Sequence, residues 1–139
     1  MREEASFGII PLSNATGQWE VFLIRHRRGG HWGFPKGRAE VNESSERAAM
    51  RELKEETNLD IVRFLSQEPL QEQYQLFRRG KRVFKKVLYY LAEVDGQVSL
   101  QKEEIAEGSW ASFAEAQNRL THEEGRAILA QVENILRST

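Results

Sequence analysis

Residues 37–59 read Gly-Arg-Ala-Glu-Val-Asn-Glu-Ser-Ser-Glu-Arg-Ala-Ala-Met-Arg-Glu-Leu-Lys-Glu-Glu-Thr-Asn-Leu. The stretch sets Gly37, Glu43, Arg51, Glu52, Glu55 and Glu56 in one fixed order. A helix turns about 100° per residue, so with Glu52 at zero Glu56 lies near +40° and Glu55 near −60°. Three carboxylates on one narrow face repel one another. A divalent cation with hard oxygen ligands offsets that repulsion, and Mg²⁺ held by few carboxylates plus substrate phosphates is a common layout for phosphoryl chemistry. A solvated surface helix is the bland alternative, with Lys54, Arg47 and an Arg51–Glu55 pair four apart balancing the acids. Against it, the acids gather on one side. Ala49, Met50, Leu53 and Thr57 lie opposite and are expected to pack inward. Ala48 is expected beside the carboxylates, leaving room for a ligand.

The order Gly, five residues, Glu, seven residues, Arg-Glu-aliphatic-any-Glu-Glu-any-Gly-aliphatic is that of the Nudix signature. Gly37, Glu43, Arg51, Glu52, Leu53, Glu55, Glu56 and Leu59 all match it, so the chain resembles a Nudix hydrolase. Asn58 stands where the family has Gly. Asn is the second choice for a left-handed helix exit, so the departure is mild. The resemblance implies an α/β fold: an α/β/α sandwich with a mixed β-sheet between helices. It also implies that the Gly37 carbonyl joins Glu52, Glu55 and Glu56 as a metal ligand, with Arg51 orienting a box carboxylate. The expected cofactor is Mg²⁺, with Mn²⁺ as a substitute.

The flanks extend the likeness. His31-Trp32-Gly33-Phe34-Pro35-Lys36 runs straight into the signature, as in Nudix enzymes that cleave dinucleoside polyphosphates. Lys36 beside the metal loop would neutralise phosphate charge as a point cation. Trp32 is expected as core or pocket wall. In the strand expected over Val83–Val94, period-two alternation puts Lys85, Val87, Tyr89 and Leu91 on one face. The resemblance to diadenosine tetraphosphate hydrolases implies phosphate contact for Lys85 and a nucleotide-stacking role for Tyr89. Tyr90 is then left to ordinary packing. Glu104, ahead of Trp110, matches a further family acid that serves as metal ligand or general base. Glu103 reads as a surface acid. His26 and His31 sit in a basic stretch and could touch phosphate, though a plain loop explains them equally well. His122 reads as a helix start. Arg78, Arg79, Lys81 and Arg82 crowd one turn. They could steer a polyphosphate or an RNA 5′ end, although a solvated turn is the plainer account.

The 139 residues suit one domain, spanning 1–139. The chain is 40% hydrophobic and 29% charged, enough for a core and a wet surface. A net charge of −1 gives no global pull towards DNA or membranes. The chain has no cysteine, which removes disulfides, thiolate zinc sites and Cys nucleophiles, and with them the Nudix-related isomerases that use a catalytic Cys. No apolar run spans a membrane and no signal region follows the N-terminus, so a cytoplasmic protein is expected; a monomer is the expected state. Strands are expected at Phe7–Leu12, Trp19–Arg25, Ile61–Leu65, Gln71–Phe77 and Val83–Val94, with short extended pieces at Trp32–Phe34 and Arg38–Val41. Helices are expected at Ser44–Thr57, Phe113–Leu120 and His122–Leu136, with Asn42 or Ser44 capping the first.

The leading expectation is Mg²⁺-dependent, asymmetric hydrolysis of diadenosine tetraphosphate to ATP and AMP. The alternatives are removal of pyrophosphate from RNA 5′ ends, clean-up of nucleoside triphosphates, and a catalytically silent nucleotide-binding module. Silent modules typically lose box carboxylates, and this chain keeps all of them.

Overall fold

The computed structural model describes residues 2–138. Eight strands form one mixed sheet: β1 (Arg2–Ser13), β2 (Glu20–His26), β3 (Trp32–Gly33), β4 (Lys36–Gly37), β5 (Asp60–Phe64), β6 (Leu70–Arg78), β7 (Lys81–Asp95) and β8 (Ile105–Ser112). Three helices complete it: α1 (Ser45–Thr57), α2 (Phe113–Arg119) and α3 (Glu123–Arg137). The central path runs β3-β2-β1-β7-β5, with β4 on β1, β6 on β7 and β8 on β2. β1 and β7 run parallel, from Arg2 opposite Val83 to Leu12 opposite Glu93.

Period-two alternation sorts the core into two layers. Val21 and Leu23 of β2, with Val87, Tyr89 and Leu91 of β7, pack against Ile128, Leu129 and Val132 of α3. Phe22 and Ile24, with Tyr90, Ala92 and Val94, pack beneath Ala49 and Leu53 of α1. Helices therefore cover both faces of a mixed sheet, as the resemblance implies. The face assigned to Lys85, Val87, Tyr89 and Leu91 is the observed one.

Several local expectations need correction. β1 starts at Arg2, not Phe7, because parallel pairing with β7 satisfies its backbone far beyond its apolar stretch. Arg38–Val41 is not a strand; the extended piece is Lys36–Gly37, paired with Gly8 and Phe7 of β1. β8 has no counterpart in the expected elements. Its Ala, Gly and Ser content lowers strand propensity. Gly108 is nevertheless required there, since a Cβ would come within 2.6 Å of the Phe22 ring. Asn42 (φ 66°) lies in the loop, and Ser44 is the cap of α1. On α1 itself, Ala49, Leu53 and Thr57 are buried as expected, but Met50 is 39% exposed. Ala48 is fully enclosed, so it lines no open ligand space.

Candidate active site

α1 carries the acidic face because both of its ends are fixed. At the start, the Ser44 hydroxyl accepts the Arg47 N–H at 3.2 Å. At the end, Asn58 takes the left-handed conformation (φ 68°) and its N–H donates to the Lys54 carbonyl at 3.0 Å. The Asn58 side-chain amide also donates to the Gln97 carbonyl at 3.0 Å. Ser99 N–H donates to Thr57 O at 2.9 Å and Gln101 N–H to Glu56 O at 3.1 Å, pinning the loop that ends at Glu104 to the helix.

Arg51 organises the acids. Its Nε and Nη2 grip both Glu43 oxygens at 2.8 and 3.0 Å. Nη2 also donates to the Arg38 carbonyl at 2.9 Å, and Nη1 reaches Glu52 Oε1 at 3.1 Å and Glu55 Oε2 at 3.2 Å. The Arg51 guanidinium and the Glu40 N–H hold the Glu43 carboxyl down at about 2. Gly37 lies against the Glu52 carboxylate, and a Cβ at that position would run into it. A larger residue there would push the Glu52 carboxylate out of its position.

Glu56 is the buried member of the set, 5% exposed, with Oε1 accepting the Lys36 N–H at 3.1 Å. Burial, then the Glu52 charge and, less strongly, that of Glu104 push its carboxyl up to about 8, against the pull of the Lys36 N–H. Burial also raises Glu52. Like charges thus converge there, offset only in part by Arg51 and Lys36. Among the described residues, no three Asp, Glu or His side chains form a ready metal cage. Arg51 instead bonds Glu52 and Glu55. The donor set is all carboxylate and carbonyl oxygen, which suits a hard divalent cation.

Beside these acids opens a cleft of about 370 Å³ lined by Lys36, Trp32, Glu72, Tyr74, Tyr89 and the histidines. The three histidines of the chain meet on its wall: His26 and His31 ring centres are 4.9 Å apart, His31 and His122 5.4 Å. Burial, then His31 and Lys36, drive His26 down to about 4. Burial likewise lowers His31 and Lys36. The Arg119 guanidinium lies over the Trp32 ring at 5.1 Å.

The structure gathers Glu43, Glu52 and Glu55 around Arg51 and sets Gly37 against Glu52 and Lys36 N–H on Glu56. It brings Glu104 near enough for its charge to act on Glu52 and Glu56, while Trp32 and Lys36 share the cleft wall. Two expectations change. Tyr89 lines the cleft but is only 3% exposed, edge-on to Phe34 at 5.3 Å, with its hydroxyl towards Glu72; no ring face is free for stacking. Lys85 points away from the cleft's centre towards Glu4, at 3.8 Å. Tyr74 and Glu72 of β6 were not expected. Their period-two positions on one face were the available signal, given that Tyr74 pairs with Lys85 and Glu72 with Val87.

Residues 2–132 match the NUDIX domain family, and the chain belongs to it. Members of that family generally use a divalent metal. The chain is 32% identical over 123 residues to the asymmetrical bis(5′-nucleosyl)-tetraphosphatase of Rattus norvegicus, covering 85% of this chain and 82% of that one. It is 31% identical over 88 residues to mRNA-decapping enzyme subunit 2 of Arabidopsis thaliana, covering 63% of this chain and 23% of that one. A crystal structure of a C. elegans Ap4A hydrolase binary complex superposes with a TM-score of 0.75 at 22% identity, covering 97% of this chain and 98% of that one. The chain spans less than half the length of a mycobacterial and a plant relative, 42% and 23%.

Proposed function

We propose that the chain hydrolyses dinucleoside tetraphosphates asymmetrically, releasing ATP and AMP from diadenosine tetraphosphate in the presence of Mg²⁺. The observation that supports this best is the convergence of Glu52, Glu56 and Glu104 beside Lys36, which also lines the cleft. The extended likeness to the rat tetraphosphatase supports the substrate.

Glu52, Glu55 and Glu56, with the Gly37 carbonyl and Glu104, would hold the cation. The cation supplies Lewis-acid polarisation of phosphate oxygens and neutralises charge. The chain's own residues do the rest. Lys36 offers its N–H to fix Glu56 and its ammonium to the polyphosphate. Arg51 sets the angle of Glu52 and Glu55, and Glu43 braces Arg51. The water proton passes to Glu55 or Glu104, the two exposed carboxylates of the rim. Trp32 and Tyr74 wall the nucleotide pocket, while His31 takes a phosphate or ribose oxygen.

Product analysis by ion-exchange chromatography tests this, with diadenosine tetraphosphate and a 5′-triphosphorylated RNA side by side, with Mg²⁺ and with EDTA. ATP plus AMP from the dinucleotide, with RNA nearly untouched, is expected. Glu56→Gln should cost about 10²–10⁴ in turnover. Near-normal turnover in that variant would sink the mechanism, and preferential cleavage of the RNA would reassign the substrate.

A further inference from the structure

Glu4 is an acid that the proposed reaction leaves idle, yet its side chain is only 4% exposed. It sits on β1, where parallel pairing sets it opposite Lys85 of β7 and the neighbouring pairs hold the backbone from Arg2 to Leu12. The carboxylate therefore has a fixed address. Four cations converge on it: Arg38 at 2.7 Å, Arg78 at 2.6 Å, Arg2 at 3.6 Å and Lys85 at 3.8 Å. A buried carboxylate has to be paired, and one close cation would balance it. The second close cation is the one to explain.

Arg78 ends β6 and ties the β6–β7 hairpin to β1. Arg38 is placed differently. It directly follows Gly37, where the pairing of β4 with β1 ends, and residues 38–40 have no regular structure. Its guanidinium goes to Glu4, and its carbonyl accepts Arg51 Nη2 at 2.9 Å. Arg51 in turn bonds Glu43, Glu52 and Glu55. One residue thus joins the buried carboxylate of β1 to the guanidinium that sets the acids of α1.

The Gly37 carbonyl and the Arg38 N–H belong to one planar peptide unit. Glycine has the most freedom to turn and no side chain to restrain that unit itself. Holding Arg38 by its side chain on one flank and by its carbonyl on the other supplies the restraint. The Gly37 carbonyl is among the oxygens proposed to hold the cation.

We propose that Glu4 is a positioning residue for the cation site: through Arg38 it fixes the Gly37–Arg38 peptide and the near side of Arg51, and so sets Mg²⁺ affinity from outside the group of ligands. The inference rests on the metal part of the proposed function and not on its substrate. Anchoring the hairpin through Arg78 is a separate task of the same carboxylate, and substitution can separate the two.

Isothermal titration calorimetry of Mg²⁺ into the full chain, without nucleotide, tests this. Wild type is compared with Arg38→Met, Glu4→Gln, the double variant and Arg78→Gln, and thermal melting in EDTA checks that each is folded. Arg38→Met is the mild variant, since Arg38 is 57% exposed and Glu4 keeps Arg78. Loss of a partner that orients metal ligands typically lowers affinity about 10–100-fold, so Arg38→Met and Glu4→Gln should each weaken Mg²⁺ binding about tenfold. The double variant should bind no more weakly than the single ones, because both cut one connection. Arg78→Gln breaks the other short pair to Glu4 and should bind within about twofold of wild type. Wild-type affinity in Arg38→Met overturns the proposal. So does an equal loss in Arg78→Gln, which would make the effect one of general loosening, and so do additive losses in the double variant. A wild type that takes up no Mg²⁺ overturns it together with the metal reading. A wild type that binds Mg²⁺ but leaves diadenosine tetraphosphate intact overturns the proposed substrate alone, and the ranking of the variants still decides the role of Glu4.

Discussion

His26 is a residue on which burial and neighbouring positive charge act in the same direction. Its imidazole falls from 6.5 to about 4 because burial, His31 and Lys36 all disfavour its proton. The unfolded chain therefore binds more protons than the folded one between those values, and stability rises with pH across them. That contribution is complete above 6.5 and is lost as pH falls through about 4. Urea unfolding of wild type and His26→Gln near pH 7.5 and near pH 4.5 should show wild type losing ground to the variant at the lower pH. A gap that does not move with pH would show that His26 titrates normally. Legibility at this scale depends on how local the information is. Glu52, Glu55, Glu56 and Arg51 sit on one helix, so their spacing alone places them together. Tyr89 lines the cleft as its face predicts, but period-two alternation does not give the depth at which Phe34 and Glu72 enclose it. Tyr74 and Glu72 were missed because their direction depends on the register of β6 against β7.

At the scale of the element, the end of α1 is the informative place. The left-handed turn at Asn58 stands where the Nudix signature has Gly. A non-glycine residue pays roughly 1–2 kcal/mol for that conformation, and Asn recovers part of it through short-range hydrogen bonds. Asn58→Ala should therefore cost about 1–2 kcal/mol, since it keeps the strain and loses the amide bond to Gln97. Asn58→Gly should be nearly neutral, because freedom at positive φ offsets the lost bond. Chemical denaturation of both variants checks the order; an alanine variant as stable as glycine would contradict it. The helices were legible from their caps and periodicity, α1 to within a residue of its start. β8 was not. Its small residues carry no strand pattern of their own, and it is a strand because β2 offers it a partner from Glu20 to His26.

For the whole molecule, the acids that meet beside Lys36 are a source of instability that a cation relieves. A ligand that binds only the folded state stabilises it by about 2.7 kcal/mol at a hundredfold excess over Kd. Saturating Mg²⁺ should thus raise the thermal midpoint by several degrees, and Glu56→Gln should lose most of that rise. Differential scanning fluorimetry with Mg²⁺ and with EDTA reads it directly; an identical rise in both proteins would place the cation elsewhere. The sandwich of helices on both sheet faces could be anticipated from alternating elements. The central parallel pair could not, because β1 and β7 are far apart in the chain and nothing local couples them.

That pairing also sets a schedule. Arg2 cannot find Val83 until some eighty further residues have been made, and the Lys36–Gly37 strand leans on β1 in turn. At about 5–20 residues per second, the first strand waits roughly 4–16 s on the ribosome with its β7-facing edge unpaired. Gly37 and α1 are synthesised early but gain their permanent support late. A nascent chain stalled before β7 should therefore be a customer for chaperones, with its catalytic centre among the last parts to be assembled.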